Sequence, residues 1–172
     1  MDTATIRGSD DRPIDDDDRV GSAHGAVAVA APAVAVAAPA VAIKWSEALA
    51  TGDPLFDRTH RELIDLIAAL EHSDADAMPA AVEAAIAHTQ DHFRQETTLM
   101  QLHAFPPIHC HDTEHAQVLE VMIAVRARVA AGDHQYGRIL AAALMQWLHV
   151  HVPTMDYVLA AWLRERGVHD SA

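Results

Sequence analysis

Cysteine occurs once in this 172-residue chain. That excludes an internal disulfide framework and any zinc module built from several thiolates, and a lone thiol suits a reducing, cytoplasmic compartment. Aromatic residues are scarce at 5%, which with abundant alanine argues for helices over a β-sandwich. Basic residues are few as well: 12 Lys and Arg stand against 25 Asp and Glu, a formal net charge of -13. Without a basic face there is no footprint for a phosphate backbone, and an anionic membrane surface repels the chain. Neither nucleic acid nor a membrane is therefore an expected partner. Histidine, by contrast, is plentiful, with 13 residues.

The first 43 residues differ from the rest. Met1 to Arg19 carries seven Asp and no aromatic residue, too little apolar surface to offset chain entropy, so it is expected to be disordered. Residues 26–43 contain only Ala, Val, Pro and a final Ile, and the heptad AVAVAAP occurs twice. Pro32 and Pro39 interrupt this stretch, and the acidic segment before it is the opposite of a secretory n-region. Residues 1–43 read as an extended leader, a candidate contact for a protein partner, and residues 44–172 as one domain. That domain is itself acidic, with nine basic and eighteen acidic residues.

Within it the apolar periodicity predicts an all-α domain. The first helix spans Pro54 to His72, with Asp53 as N-cap and Pro54 at the first position. The second runs from Pro79 to His103 and is stopped by Phe105-Pro106-Pro107. The third runs from Ile108 to Ala131 and ends at Gly132. A fourth starts after Asp133, and a short last helix covers Tyr157 to Arg166. Short connections make successive helices antiparallel neighbours, so an up-down four-helix bundle is expected.

Each of the four long helices carries histidine in a metal-compatible spacing. His60 falls beside the apolar stripe of the first helix; taken alone, such a histidine is more often part of a core. On the second helix His92 and Glu96 are four residues apart, which places them on one face, about 40° from each other. His88, one turn earlier, extends the row, which also reads as a solvated polar stripe. His111 and His115 repeat the spacing on the third helix and form a helical metal clip. His151 and Asp156 are five apart and would diverge on an ideal helix. Pro153 between them should kink or end the helix and let Asp156 swing back; alternatively, Pro153 simply terminates one helix and Asp156 caps the next. Together these are five imidazoles and two carboxylates, too many ligands for one metal. Two metals bridged by both carboxylates would use three histidines on one and two on the other, and a nitrogen-rich, carboxylate-bridged pair suits iron. Ferritin-like bundles need Glu-x-x-His on two helices, and that motif is absent from this chain.

The pattern resembles the hemerythrin family in its bacterial, single-domain form. The resemblance covers residues 45–157: Trp45 and Asp57-Arg58-Thr59-His60, then His92-Phe93-Arg94-Gln95-Glu96. Pro106 follows, five residues before the His111/His115 pair, and Trp147-Leu148 precede His151 and Asp156. Thr59 and Thr97 depart from the residues usual there, and neither is a ligand position. The resemblance implies a non-haem site of two iron ions, oxo- or hydroxo-bridged, that binds O2 reversibly. His111, His115 and His151 would hold the saturated iron and His60 and His92 the open one, with Glu96 and Asp156 as bridges. An apolar pocket around the O2 site would be walled by Leu63, Phe93, Trp147 and Leu148; Met100 reads better as ordinary core. Neutral imidazoles disfavour high-valent iron, so a carrier, store or supplier of O2 is expected rather than an enzyme. An O2- or redox-sensing module, or a di-iron enzyme acting on peroxide, nitric oxide or ferrous iron, ranks behind it, and metal storage behind those.

Overall fold

A computed structural model of the chain describes residues 43–168. The acidic and Ala/Val/Pro-rich leader lies outside the described residues, apart from Ile43 at its end. After a 3-10 turn at Glu47–Leu49, four long helices follow: α1 (Pro54–His72), α2 (Met78–Leu102), α3 (Ile108–Ala130) and α4 (Gln135–His151). Each packs against the next, and α4 closes the ring onto α1. A short helix, α5 (Tyr157–Arg164), completes the all-α antiparallel bundle, and the described residues include no strand. No described helix is long and apolar enough to cross a membrane.

The helix ends follow local chemistry. The Asp53 side chain accepts from the backbone N–H groups of Leu55 and Phe56, and Pro54 begins α1, as the sequence indicates. Two further bonds tie the approach segment to α1: Thr51 donates through its backbone N–H and its hydroxyl to Asp57 Oδ1, at 2.7 and 2.8 Å. After α3, Gly132 takes φ +96° while the Asp133 N–H bonds the Arg128 carbonyl, a left-handed stop that needs no Cβ. Two residues past the end of α2, Ala104 takes φ +50°, an uncommon conformation for a residue with a Cβ, and Phe105 and the two prolines follow.

The segment around Pro153 differs from expectation. The helix neither breaks nor ends there; Val152–Asp156 form one π-helical turn that leads directly into α5. Pro153 has no N–H to donate, and the ladder resumes with the Tyr157 N–H bonded to the Val152 carbonyl, five residues back. Thr154 donates to the Val150 carbonyl at 2.6 Å and satisfies that acceptor. The wider turn brings residues five apart onto one face. α5 is shorter than expected, ending at Arg164 rather than Arg166, and the ends of α2 and α3 differ by one residue.

Two apolar clusters fill the described bundle. The larger includes Leu63, Ile67, Val82, Ile86, Met122, Leu144 and Leu148. The smaller joins Phe56, Met100, Phe105, Leu159, Ala160 and Leu163, so Met100 is ordinary core. On every long helix the histidines of interest fall in chain order between a residue of one cluster and a residue of the other. His60, for example, lies between Phe56 and Leu63, and His151 between Leu148 and Leu159. The polar layer is therefore held from two sides by packed hydrocarbon.

Candidate metal centre

All seven side chains singled out above lie in that layer, and all are buried: His60, His92, Glu96, His111, His115, His151 and Asp156 are each 4% exposed or less. α1 supplies His60, α2 His92 and Glu96, α3 His111 and His115, α4 His151, and the π-turn Asp156. The wider turn at Pro153 sets Asp156 Oδ1 3.1 Å from His151 Nε2, a meeting that an unbroken α-helix would not allow.

The two carboxylates divide their oxygens. Glu96 Oε1 lies 3.3 Å from His92 Nε2, whereas Oε2 lies 3.3 Å from the Nε2 atoms of both His111 and His115. Asp156 Oδ2 lies 3.1 Å from His60 Nε2, whereas Oδ1 lies 3.2 Å from His111 and 3.1 Å from His151. Two sets of potential ligands result, one with His111, His115 and His151, the other with His60 and His92, and both share Glu96 and Asp156.

These atoms crowd together without bonding one another well. Both oxygens of Glu96 and of Asp156, and both ring nitrogens of His60 and His111, are buried with no hydrogen-bond partner. Leaving such groups unpaired costs about 1–3 kcal/mol each. A cation removes that conflict, because each lone pair then points at it. Adjacent donors on an octahedral metal with bonds of ~2.1 Å are about 3.0 Å apart, close to the 3.1–3.3 Å separations here. The residues present fit a bound metal.

Electrostatics divide the rings into two kinds. Burial alone would lower every histidine pKa. For His111, contacts with Asp156 and Glu96 outweigh burial and raise it to about 9. For His60, Asp156 outweighs burial in the same way. Burial lowers His92, and it lowers His115 to about 2, reinforced there by neighbouring His111 and His151. Burial would raise Asp156, but His111, His151 and His60 hold its carboxyl well below the usual carboxylate range.

Around the ligand layer the rings are clamped by aromatic faces. Phe93 stacks flat on His115, with centroids 3.6 Å apart and planes 2° off parallel. Trp147 stacks on His151 at 4.1 Å and 23°. Trp147 therefore contacts the three-histidine set, while Phe93 also approaches His92 at 5.7 Å. Leu63 and Leu148 are buried in the larger apolar cluster. His88 points away toward α1, with its Nε2 3.2 Å from the Thr59 carbonyl. On that side a polar cleft of about 240 Å³, lined by Arg58, Glu62, Asp91 and Gln95 among others, reaches His92. One contact was not anticipated from sequence: Glu114 Oε2 lies 3.6 Å from His151 Nδ1. Its sequence signal is an acid three residues after His111 and one before His115, turned by about 100° from the latter toward a neighbouring helix.

The chain is similar to known proteins in both sequence and fold. The profile of the hemerythrin HHE cation binding domain matches residues 51–163. A bacteriohemerythrin of Ralstonia nicotianae is 41% identical over 125 residues, covering 73% of this chain and 91% of that protein. Hemerythrin subunit alpha of Lingula anatina is 32% identical over 114 residues, covering 66% and 88% respectively. The fold matches a crystal structure of wild-type hemerythrin with a TM-score of 0.65 at 22% identity, covering 70% of this chain and 96% of that one. By its sequence profile and its relatives, the chain belongs to the hemerythrin family.

Proposed function

We propose that this protein binds O2 reversibly at a pair of non-haem irons and acts as a carrier, store or local supplier. His111, His115 and His151 would hold one iron, His60 and His92 the other, and Glu96 and Asp156 would bridge them. The observation that carries this reading is the division of each carboxylate between the two nitrogen sets, one oxygen toward each. The sets are unequal, so the two-histidine half has fewer protein donors and leaves a position for O2. When bound, the irons supply the electrons that O2 takes up on binding and returns on release.

The chain's own residues do the rest. His92 and His115 are neutral at pH 7, since burial lowers both, and their lone pairs are ready to bind. Phe93 and Trp147 fix the planes of His115 and His151. Leu63, Phe93, Trp147 and Leu148 would keep water from the O2 position, which slows irreversible oxidation. The lone, exposed thiol of Cys110 suits a reducing compartment, and we infer a cytoplasmic location.

A second reading, a di-iron enzyme acting on peroxide or another small polar substrate, is favoured by one observation: the polar cleft that reaches His92. One experiment separates the two. Ferrous iron is added anaerobically, O2 is admitted, and the visible spectrum is followed through repeated evacuation. A coloured form that bleaches and returns supports carriage. A single irreversible conversion, with peroxide consumed catalytically, supports the enzyme.

A further inference from the structure

The outer nitrogens of the site histidines have unequal surroundings. Nδ1 of His60, of His111 and of His115 is buried without a hydrogen-bond partner. Nδ1 of His151 also lacks a hydrogen bond, but it faces a carboxylate: Glu114 Oε2, 3.6 Å away. Trp147 covers one face of the His151 ring at 4.1 Å, and of the two partners the half-exposed Glu114 side chain is the less confined, so it is the one that can close the remaining gap. On the other edge of the same ring, Nε2 lies 3.1 Å from Asp156 Oδ1 and 3.1 Å from His115 Nε2, inside the candidate centre.

A histidine that offers Nε2 to a metal must carry its proton on Nδ1, and a carboxylate behind the ring fixes that tautomer and makes Nε2 a better donor. Resting on the metal centre proposed above, we infer that Glu114 is a positioning residue that accepts the Nδ1–H of His151 and aims Nε2 into the centre. The Glu114 side chain is 44% exposed, so it needs no buried partner of its own. It stands at the rim of an apolar groove of about 260 Å³ between α3 and α4, whose lining includes Trp147 and Gln117. The two groups that orient His151, one by stacking and one by charge, thus border the same groove.

The test compares full-length wild type with Glu114→Gln, Glu114→Leu and Gln117→Leu. The last removes a polar side chain from the same groove, on the same helix. Each protein is loaded with ferrous iron anaerobically, and release to a chelator is timed. Ring 15N shifts then give the His151 tautomer in the metal-free proteins. Glu114→Leu should release iron on the order of 10–100-fold faster, and the share of His151 in the Nδ1–H form, for which Glu114 competes with Asp156 on the opposite edge of the ring, should fall. Glu114→Gln, which keeps an acceptor, should recover much of both, and Gln117→Leu should match wild type. Wild-type release and an unchanged tautomer in Glu114→Leu would overturn the inference. So would equal acceleration by Gln117→Leu, which would indicate groove packing instead. If Glu114→Leu does not fold, Glu114→Ala, which also lacks an acceptor, takes its place under the same expectations. A wild type that takes up no iron ends the metal reading, while the metal-free 15N measurement still judges Glu114.

Discussion

Replacing Glu96 by Met should reverse the order of stability depending on whether metal is present. The side chain is fully buried, and neither oxygen has a hydrogen-bond partner despite three imidazole nitrogens at 3.3 Å. In metal-free protein an unsatisfied buried polar group costs about 1–3 kcal/mol, and attraction to His111, whose pKa is raised to about 9, offsets part of that. Methionine is similar in length and removes both unpaired oxygens, while His111 keeps Asp156 Oδ1 at 3.2 Å as its carboxylate partner. The expected gain in chelator is about 1–2 kcal/mol, or roughly 3–6 °C in Tm for a domain of this size. With metal the sign changes. A ligand at 1,000 times its Kd stabilises the folded state by about 4 kcal/mol, and a variant that lacks one shared carboxylate forfeits most of that. Thermal melts by circular dichroism, in chelator and then with two equivalents of anaerobic ferrous iron, read both signs. If Glu96→Met melts below wild type in chelator, the carboxylate supports the fold itself and the reasoning from unpaired oxygens is wrong.

Iron binding should release protons at pH 7 and tighten as pH rises toward about 9. His111, raised to about 9, holds a proton that binding displaces, and His60 is shifted in the same direction, whereas burial lowers His92 and His115. Titration calorimetry in two buffers of different ionisation enthalpy checks this, and identical heats in both would contradict it. Phe93→Leu removes the face stacked on His115 and should cost about 1–2 kcal/mol in urea unfolding while loosening iron; unchanged iron release would detach the stack from the centre. Asp53→Ala strips the α1 cap of its acceptor and should cost about 1–2 kcal/mol by the same assay. Ala104→Gly relieves a left-handed φ of +50° and should stabilise by about 0.5–1 kcal/mol; a loss would show that the Ala104 methyl packs usefully.

Much of this was legible in the sequence because helices obey a fixed angular increment. Asp53-Pro54 marked one boundary and Gly132 another, since caps and left-handed stops depend on a few adjacent residues. The pairs His92/Glu96 and His111/His115 could be placed on common faces for the same reason. Pro153 was harder. A missing N–H permits a kink, a stop or a widened turn, and the choice depends on what the freed carbonyls find, here Thr154 and a bond five residues long. His60 illustrates the limit of a single residue: buried in an apolar layer, it satisfies the description of a core histidine and of a metal donor alike. The stack of Trp147 on His151 and the approach of Glu114 to the same ring are not readable from spacing. Both contacts join α3 or α4 to a ring in a neighbouring turn or helix, and spacing along one helix cannot show which neighbour a side chain meets.

The most direct test of the two-metal account is a count. Full-length protein is loaded anaerobically with excess ferrous iron, desalted, and analysed for iron against chain concentration. Two irons per chain are expected, and one, or none, would contradict the division of Glu96 and Asp156 between two metals.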